Sequence, residues 1–220
     1  MTNEQQGKHK VNKKEFWESK YIQNHMPWDI GQVAPAFVKY FTQSLELQAL
    51  KVAVLGCGRG HDAFYLAQLE NKGNKNCKLD VYGFDFSNIA IRFCNELKKR
   101  KRLNNINFYQ VDFFKLGKSN EWKNSFDYVV EHTTLCAVDP ERKKEYVDLV
   151  KHILKPKGKL IGLFFVRPIE LGGPPFGSTQ EEIKQLFCED FIEEEELRYE
   201  ECLHAGKLEG DEYLGIFRKK

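Results

Sequence analysis

The chain has 220 residues, with 34 Lys and Arg against 32 Asp and Glu and a formal net charge of +2 at pH 7. This length fits one domain with a sizeable core, and a second independent one is not expected. The excess Lys gathers in residues 8–14, in residues 98–102 and at the C-terminus, as solvated faces and ends do, which argues against a nucleic-acid groove.

No apolar run approaches the ~20 residues of a membrane span, and the N-terminal stretch lacks the apolar core of a signal peptide. A cytoplasmic protein with neither membrane nor nucleic acid as partner is therefore expected. Residues 1–12 are polar without an apolar period and are expected to be a disordered tail. Residues 13–23 predict a short helix with Phe16, Trp17, Tyr21 and Ile22 on its apolar face. Pro27 ends it, because the residue before a proline is pushed out of the helical region. After Gly31 and Pro35, the spacing of Phe37, Tyr40, Phe41 and Leu45 predicts a second helix.

The centre alternates. A strand at 51–55 meets Gly56-Cys57-Gly58-Arg59-Gly60-His61-Asp62 and then a helix from about 60 to 69; a strand at 79–84 meets a helix from Ser87, a good N-cap, to about 99. Strands at 106–110 and 126–130, a helix at 140–154 and a strand at 159–165 follow. Gly172-Gly173-Pro174-Pro175 predicts a shaped loop, and Ser178 with Glu181 a capping box for a helix to about 188. Strands at 192–200 and 212–218, with Gly206 and Gly210 between them, read as a closing hairpin. Such alternation predicts a mainly parallel sheet covered on both faces, with ligands at the carboxyl ends of its strands. Those ends carry Gly56, Asp85, Asp112 and Glu131.

The glycine-rich turn after the first strand suits a nucleotide-type cofactor, since glycine tolerates positive φ and close approach, and the next helix offers free N–H groups. Its glycines stand at 56, 58 and 60, whereas a dinucleotide fingerprint needs one at 61, where His61 stands. The pattern favours an S-adenosylmethionine (SAM) loop over an NAD loop. Asp85 has the acceptors for a ribose diol, and Asp112 those for an adenine amino group, with Phe113 beside it to pack on the ring; ordinary strand-end aspartates are the alternative. Trp17, Tyr21 and Trp28 either staple the first helix to the domain or form a lid whose aromatic faces attract a sulfonium. His132, just past the fourth strand, is a base, a cofactor contact or a plain hydrogen-bonded residue. Cys136 reads as a packed thiol. The six cysteines, at 57, 77, 94, 136, 188 and 202, show no C-x-x-C pair and no His at metal spacing, so reduced thiols and no metal are expected.

Trp17, Pro27-Trp28-Asp29-Ile30-Gly31, the 56–62 loop, Gly83-Phe84-Asp85-Phe86-Ser87, Asp112-Phe113-Phe114, Thr133-Thr134-Leu135-Cys136-Ala137 and Gly172-Gly173-Pro174-Pro175-Phe176 stand in a single order. In that order they resemble the thiopurine methyltransferase-like class I SAM-dependent methyltransferases, particularly the thiol and halide methyltransferases. The likeness runs from about Phe16 to the C-terminus. It implies a Rossmann-like, three-layer α/β fold with a seven-stranded, mainly parallel sheet and an antiparallel last strand. Residues 13–220 would be one methyltransferase domain with 13–35 as its aromatic lid. The resemblance also implies that Trp17, Tyr21, Trp28, Gly56, Gly58, Asp85, Asp112, Phe113 and His132 bind SAM. Trp28, Leu135 and Phe176 would face the substrate, with His132 and Phe176 nearest the reaction. Two departures stand out: thiol and halide members often have Asp-Tyr at Glu131-His132 and Tyr at Phe176, the latter a hydroxyl this chain lacks.

The expected reaction is in-line methyl transfer from SAM to a small soft nucleophile, a thiol, halide or related anion, leaving S-adenosylhomocysteine. Positioning and water exclusion would do most of the work. An acidic thiol or a halide needs no strong base; a neutral amine or hydroxyl does, and His132 is then the candidate. A different small acceptor, such as a chalcogen oxyanion or an O or N atom, and a SAM-binding regulatory protein without turnover are the alternatives. Base-amino methylation of nucleic acid is disfavoured, because no Asn/Asp-Pro-Pro-aromatic motif follows the fourth strand. A monomer or weak dimer is expected.

Overall fold

The computed structural model describes residues 10–44, 50–69, 79–200 and 210–220. Leu45, Gly206, Cys77 and Cys202 lie outside them. The strands are β1 (Lys51–Leu55), β2 (Asp80–Asp85), β3 (Ile106–Gln110), β4 (Phe126–His132), β5 (Leu154–Val166), β6 (Phe191–Glu200) and β7 (Asp211–Lys219). They form one seven-stranded sheet in the order β3-β2-β1-β4-β5-β7-β6. From β3 to β5 all neighbours are parallel, and β7 runs antiparallel to both β5 and β6. The helices are α1 (Lys14–Ile22), α2 (Pro35–Ser44), α3 (His61–Gln68), α4 (Asn88–Lys101), α5 (Lys143–Ile153) and α6 (Gln180–Phe187).

A parallel strand between two parallel neighbours buries both faces, which is why β1 reads as the unbroken apolar run Lys51-Val52-Ala53-Val54-Leu55, exposed only at Lys51. Its side chains alternate between two cores. Ala53 and Leu55 join Tyr146, Val147 and Val150 of α5 and Phe187 of α6. Val52 and Val54 join Phe37 and Phe41 of α2, Phe64 of α3 and Ile91 of α4 on the opposite face. Helix layers on both sides leave the carboxyl rim of the sheet as the open end.

Three sequence expectations change. The capping box sits one residue later than Ser178 and Glu181: Thr179 Oγ1 accepts from the Glu182 N–H at 3.1 Å and Glu182 Oε2 from the Thr179 N–H at 2.9 Å. Ser178 is instead buried, bridged to Arg167, with its hydroxyl accepting from Lys143 Nζ at 2.6 Å. The helix expected at 140–154 opens as a 3₁₀ turn, Pro140–Arg142, because Asp139 Oδ1 caps the Glu141 N–H at 3.1 Å. Residues 1–9 of the expected tail lie outside the described residues, and its last residues are held in place: Val11 is buried, and Asn12 Nδ2 donates to Asp139 Oδ2 at 2.7 Å while its Oδ1 accepts from Arg142 at 3.1 Å.

Candidate active site

The loop after β1 is built around backbone that only glycine adopts at little cost. Gly56, Gly58 and Gly60 all have positive φ, at 58°, 51° and 77°. Side chains also close over the first two: an added Cβ would stand 2.6 Å from Thr134 Oγ1 at Gly56 and 3.3 Å from the Tyr21 hydroxyl at Gly58. The Cys57 N–H donates to Phe84 O at 3.0 Å and the Gly58 N–H to Asp85 Oδ2 at 2.8 Å, which ties the loop to the tip of β2. Asp85 Oδ1 accepts in turn from the Ser87 N–H at 2.8 Å. Burial nevertheless dominates and pushes this carboxyl up to about 6.

Helix α1 crosses this loop. Glu18 Oε1 accepts from the Asn88 N–H at 2.6 Å, where α4 begins. The rings above form an edge-to-face set, Trp17 on Trp28 at 5.6 Å and Tyr21 on Trp28 at 6.2 Å between centroids. Trp17 Nε1 donates to Val11 O at 2.9 Å. Burial, and then the charge of Asp85, push the Tyr21 hydroxyl well above its usual range, so it stays neutral.

Between α1 and the strand ends lies a cavity of about 200 Å³. Trp17, Tyr21, Trp28, Gly56, Gly58, Asp85, Asp112, Phe113 and His132 all line it. Asp112 also caps the 3₁₀ turn Phe113–Lys118, with Oδ1 accepting from the Phe114 N–H at 3.1 Å. Leu135 and Phe176 do not line it. Leu135 begins the 3₁₀ turn Leu135–Ala137 and points into the core beside Tyr146. Phe176 is 5% exposed, its N–H donating to Cys136 O at 2.6 Å and its ring folded against Gly173. Cys136, Pro174 and Pro175 form that part of the wall instead. Burial, then the nearby Glu131, push the Cys136 thiol far up, which keeps it from being a thiolate nucleophile.

His132, its side chain 11% exposed, lies between two carboxylates, 3.1 Å from Asp62 Oδ2 at Nδ1 and 3.1 Å from Glu212 Oε1 at Nε2. Burial alone would pull the ring down, but Asp62 and Glu212 more than offset it and hold it up to about 10. Asp62 also accepts from the Ala34 N–H at 2.9 Å, and Asp29 accepts from His61 at 3.0 Å and meets Arg59 at 3.3 Å. These contacts clamp the segment after α1 onto the glycine loop. Sequence reasoning missed Asp62 and Glu212, which lie 70 and 80 positions from His132, since no local spacing links them.

The strand order, the antiparallel β7 and a glycine loop bonded to an acid at the tip of β2 make up the fold of the class I SAM-dependent methyltransferases. The chain belongs to the thiopurine S-methyltransferase family, whose model matches residues 12–212. Thiocyanate methyltransferase 1 of Brassica oleracea is 30% identical over 207 residues, 92% of this chain and 84% of that one. A thiopurine S-methyltransferase of Vibrio cholerae is 29% identical over 187 residues, covering 80% and 82%. Among solved structures, one from work on conversion of a disulfide bond into a thioacetal group during echinomycin biosynthesis superposes with a TM-score of 0.73 at 22% identity, covering 94% and 93%. A SAM-dependent methyltransferase from Aquifex aeolicus gives 0.64 at 17% identity, covering 92% and 98%. These two share the fold.

Proposed function

We propose that this enzyme methylates a small soft nucleophile, a thiol or an inorganic anion such as thiocyanate or a halide, inside the cavity beneath Trp17, Tyr21 and Trp28. The observation that carries the reading is the joining of a carboxylate, two glycines of left-handed backbone and an aromatic wall around one cavity. Those groups fit SAM: a carboxylate accepts from a ribose diol, bare backbone lets a ligand approach, and ring faces attract a sulfonium. When bound, SAM supplies a methyl group made electrophilic by its sulfonium, for in-line transfer. Asp85 would hold the ribose, Asp112 and Phe113 the adenine, and Gly56 and Gly58 the methionine part. Trp17, Tyr21 and Trp28 cover the cavity and exclude water, which strengthens attraction between an anionic nucleophile and a cation.

The acceptor side falls to Trp28, Cys136, Pro174 and Pro175, with Leu135 and Phe176 behind the wall as packing that shapes it. The family and the names of the relatives support sulfur as the acceptor atom. Among the described residues no helix is long and apolar enough to cross a membrane. The proposal includes a cytoplasmic monomer or weak dimer working without a metal.

Incubation with methyl-labelled SAM and a panel of thiols, iodide and thiocyanate tests the reading. Label appearing in a methylated sulfur or halide product supports it. SAM binding with no product from any acceptor sinks it in favour of a regulatory binding protein.

A further inference from the structure

The contacts of His132 bear on what the enzyme accepts, an argument that rests on the methyltransferase reading above. A neutral imidazole has one N–H and one lone pair, so a ring flanked by carboxylate oxygens on both nitrogens would set a lone pair against one of them. An imidazolium donates to both. Imidazole is also a stronger base than either carboxylate, so the proton resides on the ring. We propose that Asp62 and Glu212 hold His132 as a doubly donating imidazolium, which makes His132 a positioning residue and requires the acceptor to arrive already as an anion.

The charges around the ring come from every side. Asp62 stands at the start of α3 and Glu212 in β7, while Glu131 precedes the ring in β4 and feels its charge. Helix α2 presents the uncharged edge of Phe37 at 5.9 Å. Asp29, with Arg59 and His61, lies across a smaller cavity that His132 also lines. The two bonds thus join α3, β4 and β7 at the floor of the site. They anchor the turn from Thr133, which has φ 55°, to Cys136 on the cavity wall.

A ring with no lone pair cannot take a proton from the acceptor, and the carboxylates of the cavity are engaged elsewhere, Asp85 with the Gly58 and Ser87 N–H groups, Asp112 with the Phe114 N–H and Asp139 with the Glu141 N–H and Asn12. Thiols of low pKa, thiocyanate and halides meet that condition, because they lose the proton to solvent or never carry one. Neutral alcohols and amines do not.

The test uses the full chain and two independent readouts. In nitrogen-15 histidine spectra, with the signal assigned by its loss in His132→Gln, both ring nitrogens should stay protonated between about pH 6 and pH 8. If that variant does not fold, single substitution of the other five histidines assigns the signal by elimination. Glu212→Gln should bring the titration down toward the ordinary imidazole range near about 6.5. A wild-type ring that titrates within that window overturns the assignment. For two thiols of different acidity, kcat/KM should rise about tenfold per pH unit up to each thiol's own pKa, while iodide should show no such rise. One inflection common to both thiols overturns the anionic-acceptor requirement, and its loss in His25→Gln would trace the base to the exposed His25 at the mouth. No methylated product from any acceptor would instead defeat the methyltransferase reading and leave the spectra to judge the ion cluster.

Discussion

At the scale of residues, the most exacting environment belongs to Glu131. Its Oε2 accepts from the Leu135 N–H at 2.6 Å and from the Tyr146 hydroxyl at 3.4 Å, while Oε1 has no hydrogen-bond partner. Burial pushes the carboxyl up to about 7. A folded pKa above the unfolded one means the group favours folding most below about pH 4, and that this is lost as pH rises through 7. Glu131→Gln, whose carbonyl can still accept from Leu135, should therefore gain stability relative to wild type between pH 5 and pH 8. The gain is bounded at about 3 kcal/mol, and thermal unfolding at both pH values measures it; parallel pH curves would contradict it. Gly58→Ala should cost about 1–2 kcal/mol for its left-handed backbone and weaken S-adenosylhomocysteine binding by crowding Tyr21, as read by calorimetry. Asp85 and the loop glycines were legible because strand, turn and acid follow one another locally. Leu135 and Phe176 were not, since a 3₁₀ turn and the loop at 172–176 set which way they point.

Among the elements, α1 and the segment to Asp29 cover the site and are tied down by Glu18 on α4, Trp17 on Val11 and Asp29 on His61 and Arg59. Trp28→Ala removes two edge-to-face pairs, worth about 0.5–1.5 kcal/mol each. It should lower the melting temperature by about 2–4 °C per kcal/mol lost and, because Trp28 lines the cavity, also weaken S-adenosylhomocysteine binding in calorimetry. A loss confined to stability would make α1 a structural staple only. Thr179→Ala should cost about 1 kcal/mol in the unfolding free energy, whereas Glu181→Ala should not, because the box closes on Glu182. Sequence located α4 well, since Ser87 caps it through the Ala90 N–H and four basic residues fill its last turn. It misplaced the cap of α6 by one residue, because Ser and Thr are adjacent and only the bridge from Ser178 to Arg167 decides between them.

Over the whole molecule, alternating strands and helices made a two-sided parallel sheet legible. The antiparallel last strand came through resemblance, and the strand order surfaces only in the structure, since local pattern does not say which strands neighbour each other. The long-range ties that complete the site, Asp62 and Glu212 on His132 and Asp29 on His61, depend on that order and surface only once the rim is assembled. The central claim is that this rim holds the methyl donor under the aromatic cover. A crystal structure with S-adenosylhomocysteine bound tests it most directly. It should show the ribose hydroxyls on Asp85, the adenine between Asp112 and Phe113, and the sulfur facing the space enclosed by Trp28, Cys136 and Pro175. A ribose distant from Asp85, or a ligand lying outside this cavity, would contradict it.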